Sequence, residues 1–275
     1  MGVKRRKPTS AGQRYYMVST FEEITRKKPH KPLLETLRKK GGRNNLGRVT
    51  AKHRGGGERR HYRLIDFRRT KREVPGRVVS VEYDPNRSAR IALISYVDGD
   101  YRYVLCPEGL EVGTQVQAGR NLPVRIGNAM PFSDIPAGVE IHNIQFQPKG
   151  KTFLVRSAGT SAQLLAKEDE WAVVKLPSGE IRKFNLNCYA TIGRVSNPEH
   201  KDIVVGKAGR SRRRGWRPRV RAVVKNPVDH PMGGGEGRSS GGRHPCSKNG
   251  LPAKGARTRN RKKKSSRVIV QRRKR

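Results

Sequence analysis

Sustained alternating and continuous apolar runs lie in the middle of this chain, residues 61–205, and each is of strand length. Val78, Val79 and Val81 lead to Tyr83, and Asp84-Pro85-Asn86 closes that run with turn chemistry. Ile91 to Val97 is a run of the buried type; Asp98-Gly99 follows, then Tyr101, Tyr103 and Leu105 at period two. That order predicts a β-hairpin. Pro107-Glu108-Gly109 ends it, and Thr114 to Ala118 reads as another short strand. A second set comprises Val139 to Phe146, Thr152 to Val155, Ser161 to Ala166, Trp171 to Leu176, Ile181 to Phe184 and Tyr189 to Val195. Short strands divided by Gly/Pro turns indicate small barrels or sandwiches. The middle has room for one large β domain or two small ones. Pro131, Pro136 and Gly138 favour a boundary near 125–138, hence two domains, 61–128 and 129–205. Alternation buries about half of Tyr83, Tyr96, Tyr101 and Tyr103 and leaves the rest to stack on a ligand, without saying which.

Residues 1–60 and 206–275 show neither period; Gly and basic residues dominate them. They read as irregular arms that cannot offset their ordering entropy alone and order on a partner. Charge separates the segments further. The 275 residues carry 62 Lys+Arg against 22 Asp+Glu, a net +40. Residues 1–60 hold 18 against 4, residues 61–205 hold 20 against 16, and residues 206–275 hold 24 against 2. Thus a near-neutral core carries two cationic extensions, the pattern of a polyanion binder. No run approaches the ~18 apolar residues of a membrane span. The basic start lacks the apolar stretch of a secretory signal, so an intracellular protein is expected. Cys106, Cys188 and Cys246 form no Cys-x-x-Cys pair, which argues against a disulfide scaffold and for a reducing compartment.

Three stretches could carry chemistry. Arg212-Arg213-Arg214-Gly215-Trp216-Arg217-Pro218-Arg219 sets one indole among guanidinium groups. Their planar forks suit phosphate, and an indole can stack on a splayed base. The bland alternative, a solvated face with a tryptophan packed on the β domain, explains the arginines less well. Arg43, Asn44, Asn45 and Arg48, then Arg54, Gly55, Gly56 and Gly57, place Gly beside cations and amides. Glycine lets backbone N–H groups approach phosphate, and Asn can read a base edge. In the Gly-rich stretch 226–238, from Asn226 to Arg238, His230 lies between the only two acids of the C-terminal arm, Asp229 and Glu236. A general base oriented by Asp229 is conceivable. Adjacent side chains seldom face each other, however, so a threaded loop using Gly233, Gly234 and Gly235 is favoured. Gly237 to Gly241 matches a nucleophile elbow without its strand and helix, and Asn86-Arg87-Ser88 a glycosylation acceptor in a chain without a signal. There is no phosphate-binding loop of the Walker type and no zinc-ligand spacing, so neither a nucleotide nor a metal cofactor is expected.

Lys40 to Asn45, Glu82 to Ala89, Arg156 to Thr160 and Asn226 to Arg238 strongly resemble the family of the second protein of the large ribosomal subunit, in its bacterial or organellar form. The resemblance runs in order through the chain. It implies a mainly β architecture, an OB-fold barrel followed by an SH3-like barrel, flanked by extensions that penetrate ribosomal RNA. It also implies primary binding to large-subunit ribosomal RNA, a bridge to small-subunit ribosomal RNA, and neighbouring ribosomal proteins as partners. Support of tRNA binding and peptide-bond formation follows, by a monomer within the ribosome with no enzymatic activity of its own. The expected location is the cytoplasmic ribosome, with an organellar stroma or matrix as the alternative. Only magnesium accompanying RNA is expected as a cofactor. Candidate RNA contacts then add Arg68, Arg69, Arg87, Arg156 and Arg210 to those above. A peptidyl-transferase role has been proposed for the family histidine matching His230. Met232 stands where many members carry a second histidine, which counts against a mechanism needing both rings. A nucleoid-type protein would not need two β domains, and an RNA-processing enzyme would need a catalytic cluster that the near-neutral middle does not offer.

Overall fold

A computed structural model describes residues 2–255, 258–260 and 262–273. In chain order the strands are β1 (Val3–Arg5), β2 (Met17–Ser19), β3 (Leu34–Thr36), β4 (His61–Arg63), β5 (Gly76–Glu82), β6 (Ile91–Tyr96), β7 (Tyr101–Leu105), β8 (Gln115–Val116) and β9 (Ala129–Pro131). They continue with β10 (Glu140–His142), β11 (Ile144–Gln145), β12 (Thr152–Leu154), β13 (Ala162–Glu168), β14 (Trp171–Lys175), β15 (Ile181–Asn185), β16 (Tyr189–Ile192) and β17 (Ile269–Gln271). One short helix, α1 (Ala208–Arg213), is the α-helix among the described residues.

Residues 1–38, 59–210 and 267–275 form one compact unit, and residues 39–58 with 211–266 a second. In the first, a sheet ordered β7-β6-β5-β8 makes the first barrel. Its centre is β6, where Ile91, Ala92, Leu93 and Ile94 are all buried. Ala92 and Ile94 join Val78, Val104 and Val116 in one core. Ile91 and Leu93 point the other way, with Tyr103, and are covered by Leu33 and Ile65. A strand buried on both faces reads as a continuous apolar run, which is why no alternation shows there. Tyr103 donates from its hydroxyl to Glu82 Oε2 at 2.6 Å and accepts the His30 N–H at 2.7 Å. Residues 1–38 are therefore no irregular arm. β1 pairs with β2, β3 pairs with β4, and Thr25 exchanges hydrogen bonds with Val81. Strands of three residues are too short to display a period.

The second barrel is a sheet ordered β17-β15-β14-β13-β10-β16-β9, with the pair β11-β12 beside it. Met130, Phe132, Ile141, Ile144, Leu164 and Phe184 fill its core. Each such side chain contributes about 1.5–3 kcal/mol by leaving water. β9 and β17 escape the sequence pattern. Ala129, Met130 and Pro131 are all buried and offer no alternation, and Ile269–Gln271 lies inside the cationic tail. Where the barrels meet, Ala89, Leu105 and Val195 pack with Phe67, and Pro107 bridges to Val195. The whole is mainly β with curled sheets, as expected of an OB-fold barrel and an SH3-like barrel.

Candidate nucleic-acid interface

On the first unit, cations gather at the seam of the two barrels. Asp66 shapes the turn that presents them: its Oδ1 accepts the Arg69 N–H at 2.8 Å, and its Oδ2 accepts from Arg102 Nη1 at 2.9 Å. The ring of Phe67 then lies beneath two guanidinium groups, Arg156 at 4.3 Å and Arg87 at 5.4 Å from its centroid. Such stacking fixes a flexible cation without using its hydrogen-bond donors. Arg87 donates to Asp84 at 2.5 Å, whereas among the described residues no carboxylate pairs with Arg156. Burial, and then the like charge of Arg87, lower the pKa of Arg156. It nonetheless remains charged at neutral pH, a half-buried cation available to an anion from outside. Arg156 lines an open cleft of about 340 Å³ with Arg68 and Lys151, and the one acid there, Asp66, is engaged by Arg102.

Arg69 departs from the expected surface cation. It is 3% exposed, and its Nη1 donates to Gly127 O at 3.2 Å inside the seam. Its left-handed backbone (φ 51°) turns the side chain inward beside the exposed Arg68. Of the four tyrosines, Tyr96 and Tyr103 are buried and Tyr83 and Tyr101 are exposed, and His30 already stacks on Tyr101. Arg210 lies over Tyr16 at 3.3 Å and donates to Gly12 O and Val205 O, so it clamps the chain.

The second unit holds 23 Lys+Arg against 3 Asp+Glu in 76 residues. Backbone pairing, which leaves no apolar signature, holds it together. Gly55 N–H donates to Gly215 O at 3.0 Å, Glu58 N–H to Arg213 O at 2.8 Å, and Arg217 N–H to His53 O at 3.0 Å. Gly57 (φ 83°) permits this: a Cβ there would lie 2.9 Å from Arg213 O. Arg54 stacks on Trp216 at 3.4 Å, so one indole face is already occupied, while Arg212, Arg213, Arg214, Arg217 and Arg219 are exposed. Arg43, Asn45, Arg48, Gly56 and Arg238 are exposed as well. Asn44 and Asn226 use their side-chain oxygens on their own turns, accepting from Leu46, Arg48 and Val228 N–H groups.

His230 is 7% exposed, and its Nδ1 accepts the Met232 N–H at 3.1 Å. Its own N–H donates to Asn226 O at 3.2 Å. Among the described residues no hydrogen bond or ion pair joins it to Asp229. The glycines beside it serve the loop itself: a Cβ on Gly233 would lie 2.4 Å from Lys225 O, on Gly234 2.9 Å from Pro227, and on Gly235 2.6 Å from Ser239. Sequence reasoning missed Phe67 and Lys151. An aromatic beside two arginines, Phe67-Arg68-Arg69, was the available signal, the same one that drew notice at Trp216.

Comparison with known families gives two matches. Residues 30–118 match the ribosomal proteins L2, RNA binding N-terminal domain, and residues 125–250 match the ribosomal proteins L2, C-terminal domain.

Proposed function

The chain belongs to the ribosomal protein L2 family of the large subunit, and on that premise we propose that it grips large-subunit ribosomal RNA at the seam of its barrels and along its cationic second unit. The role it inherits is structural and RNA-binding, within the ribosome. The observation that carries the seam is Arg156, stacked on Phe67 beside Arg87 with no carboxylate partner among the described residues. A backbone phosphate is the counter-charge that fits a guanidinium left in this state. The second unit adds the exposed arginines 212–214, 217 and 219, with Arg43, Arg48 and the Gly-rich turn 55–57.

The finer parts of the reading are a bridge to small-subunit RNA, support of tRNA binding and peptide-bond formation without catalysis by this chain, and a cytoplasmic ribosome. The two β domains are taken as 61–128 and 129–205, with residues 1–38 joined to their unit and 39–58 joined to 211–266. No group other than RNA-borne magnesium is invoked. A structural role for His230 is supported by its backbone hydrogen bonds and by the absence, among the described residues, of a bond to Asp229.

The test is binding of Arg156→Gln to a large-subunit RNA fragment across a salt series. Loss of one phosphate contact should weaken binding and lower the log–log salt slope by about 0.9. An unchanged slope would show that Arg156 meets no phosphate.

A further inference from the structure

On a chain of net +40, one cleft of the first barrel is acidic. It measures about 480 Å³, with Val81, Leu110 and Val112 among its apolar walls and Glu23, Glu108 and Glu111 at its edge; no Lys or Arg lines it. The three carboxylates are unequally neutralised. Glu23 pairs with the buried Arg90 at 3.2 Å. Glu108 meets Arg194 only at 3.9 Å, and Glu111 makes no ion pair among the described residues. The carboxylates do not converge as metal ligands there. Val112 is 48% exposed, so apolar surface stands open beside Glu111 and the loosely paired Glu108.

RNA is the wrong occupant, because a phosphate in the cleft would meet three carboxylates and no lining Lys or Arg. From this charge pattern we infer that the cleft receives an extended basic segment of a neighbouring ribosomal protein, an apolar side chain in the floor and Lys or Arg at Glu108 and Glu111. The pairing follows from complementarity: apolar burial supplies affinity, and the carboxylates select a cationic strand over RNA. The inference rests on the ribosomal reading above and adds to it a protein-docking surface of opposite charge to the arginines assigned to RNA.

The test uses assembled large subunits. A photo-reactive benzoylphenylalanine replaces Val112, whose exposure leaves room for it, and the cross-linked partner is sequenced. The expected product is a Lys/Arg-bearing peptide of another ribosomal protein, its yield falling at least fivefold in E108Q/E111Q and unchanged in E168Q. Carbodiimide coupling of Glu108 or Glu111 to a partner lysine in unsubstituted subunits gives the same answer should the Val112 variant not assemble. Cross-links to RNA, to this chain's own arms or to a non-basic peptide would overturn the inference. So would absence of a partner from both measurements, or a yield indifferent to E108Q/E111Q. Absence of the unsubstituted chain from large-subunit fractions would instead defeat the ribosomal reading, and this inference with it.

Discussion

His142 is wholly buried, and its Nδ1–H donates to Gly193 O at 2.8 Å while Nε2 finds no partner. Burial, with the nearby Arg69 charge, lowers its pKa to about 4 despite the Gly193 bond. The folded chain therefore holds this ring neutral where an unfolded chain, titrating near 6.5, would take a proton. Stability from this source is complete above about pH 6.5, falls as pH drops toward 4, and is flat below. The gap is worth about 3 kcal/mol, of which about 2 kcal/mol disappears between pH 7 and 5. Urea midpoints at the two pH values should show that drop in the parent and a much smaller one in His142→Gln, whatever its total stability. Equal drops would rule this histidine out as the cause. Nothing in the sequence marks His142: it lies between Ile141 and Asn143 with no charged neighbour, and its partner Gly193 is far along the chain. The burial of Arg69 is hidden for the same reason, since a left-handed φ is invisible in a run of basic residues.

Elements were legible where one face or both faces of a strand meet a core. The turn residues and apolar runs place β5, β6, β7 and β13 to β16 within a few residues. The short strands β1 to β3, β9 and β17 were not legible, because each is specified by its partner's edge rather than by its own pattern. The loop 226–238 shows the opposite case, in which glycines were legible and their reason was not. A threaded loop was expected there, and Gly233 lies against its own chain. Lys225 O accepts the Gly234 N–H at 2.9 Å, and Asn226 O accepts from Asp229 and His230. A methyl group at Gly233 would intrude on both acceptors. Gly233→Ala should therefore open the loop, raising limited-proteolysis cleavage within 226–238 roughly tenfold, as ~1.4 kcal/mol of local stability lost would do. His230→Ala removes only the bond to Met232 N–H and should raise it less. The reverse order would place the loop's stability in the imidazole.

At the scale of the whole molecule, charge patterning located the cations correctly and misjudged their organisation. Two irregular arms were expected to order only on a partner, yet residues 39–58 lie in one unit with 211–266, joined by backbone hydrogen bonds at Gly55, Glu58 and Arg217. Main-chain pairing between glycine-rich segments leaves no hydrophobic period to read. The consequence for binding separates two contributions that a simple charge count merges. Residues 39–58 carry 6 Lys+Arg and 1 Asp+Glu, a net of five charges. Deleting them should lower the log–log salt slope for a ribosomal RNA fragment by at most about 5.4, since six cations can make at most six phosphate contacts, each worth about 0.9. It should also weaken binding at 1 M salt, where counterion release no longer contributes. The arginines of 211–219 would then have lost the segment that pairs with them, and the entropy of ordering them would fall on the binding step. The two quantities come from one salt titration, as slope and as intercept. A reduced slope with an unchanged 1 M intercept would mean that the segments bind independently and that their pairing does not pre-organise the arginines for RNA.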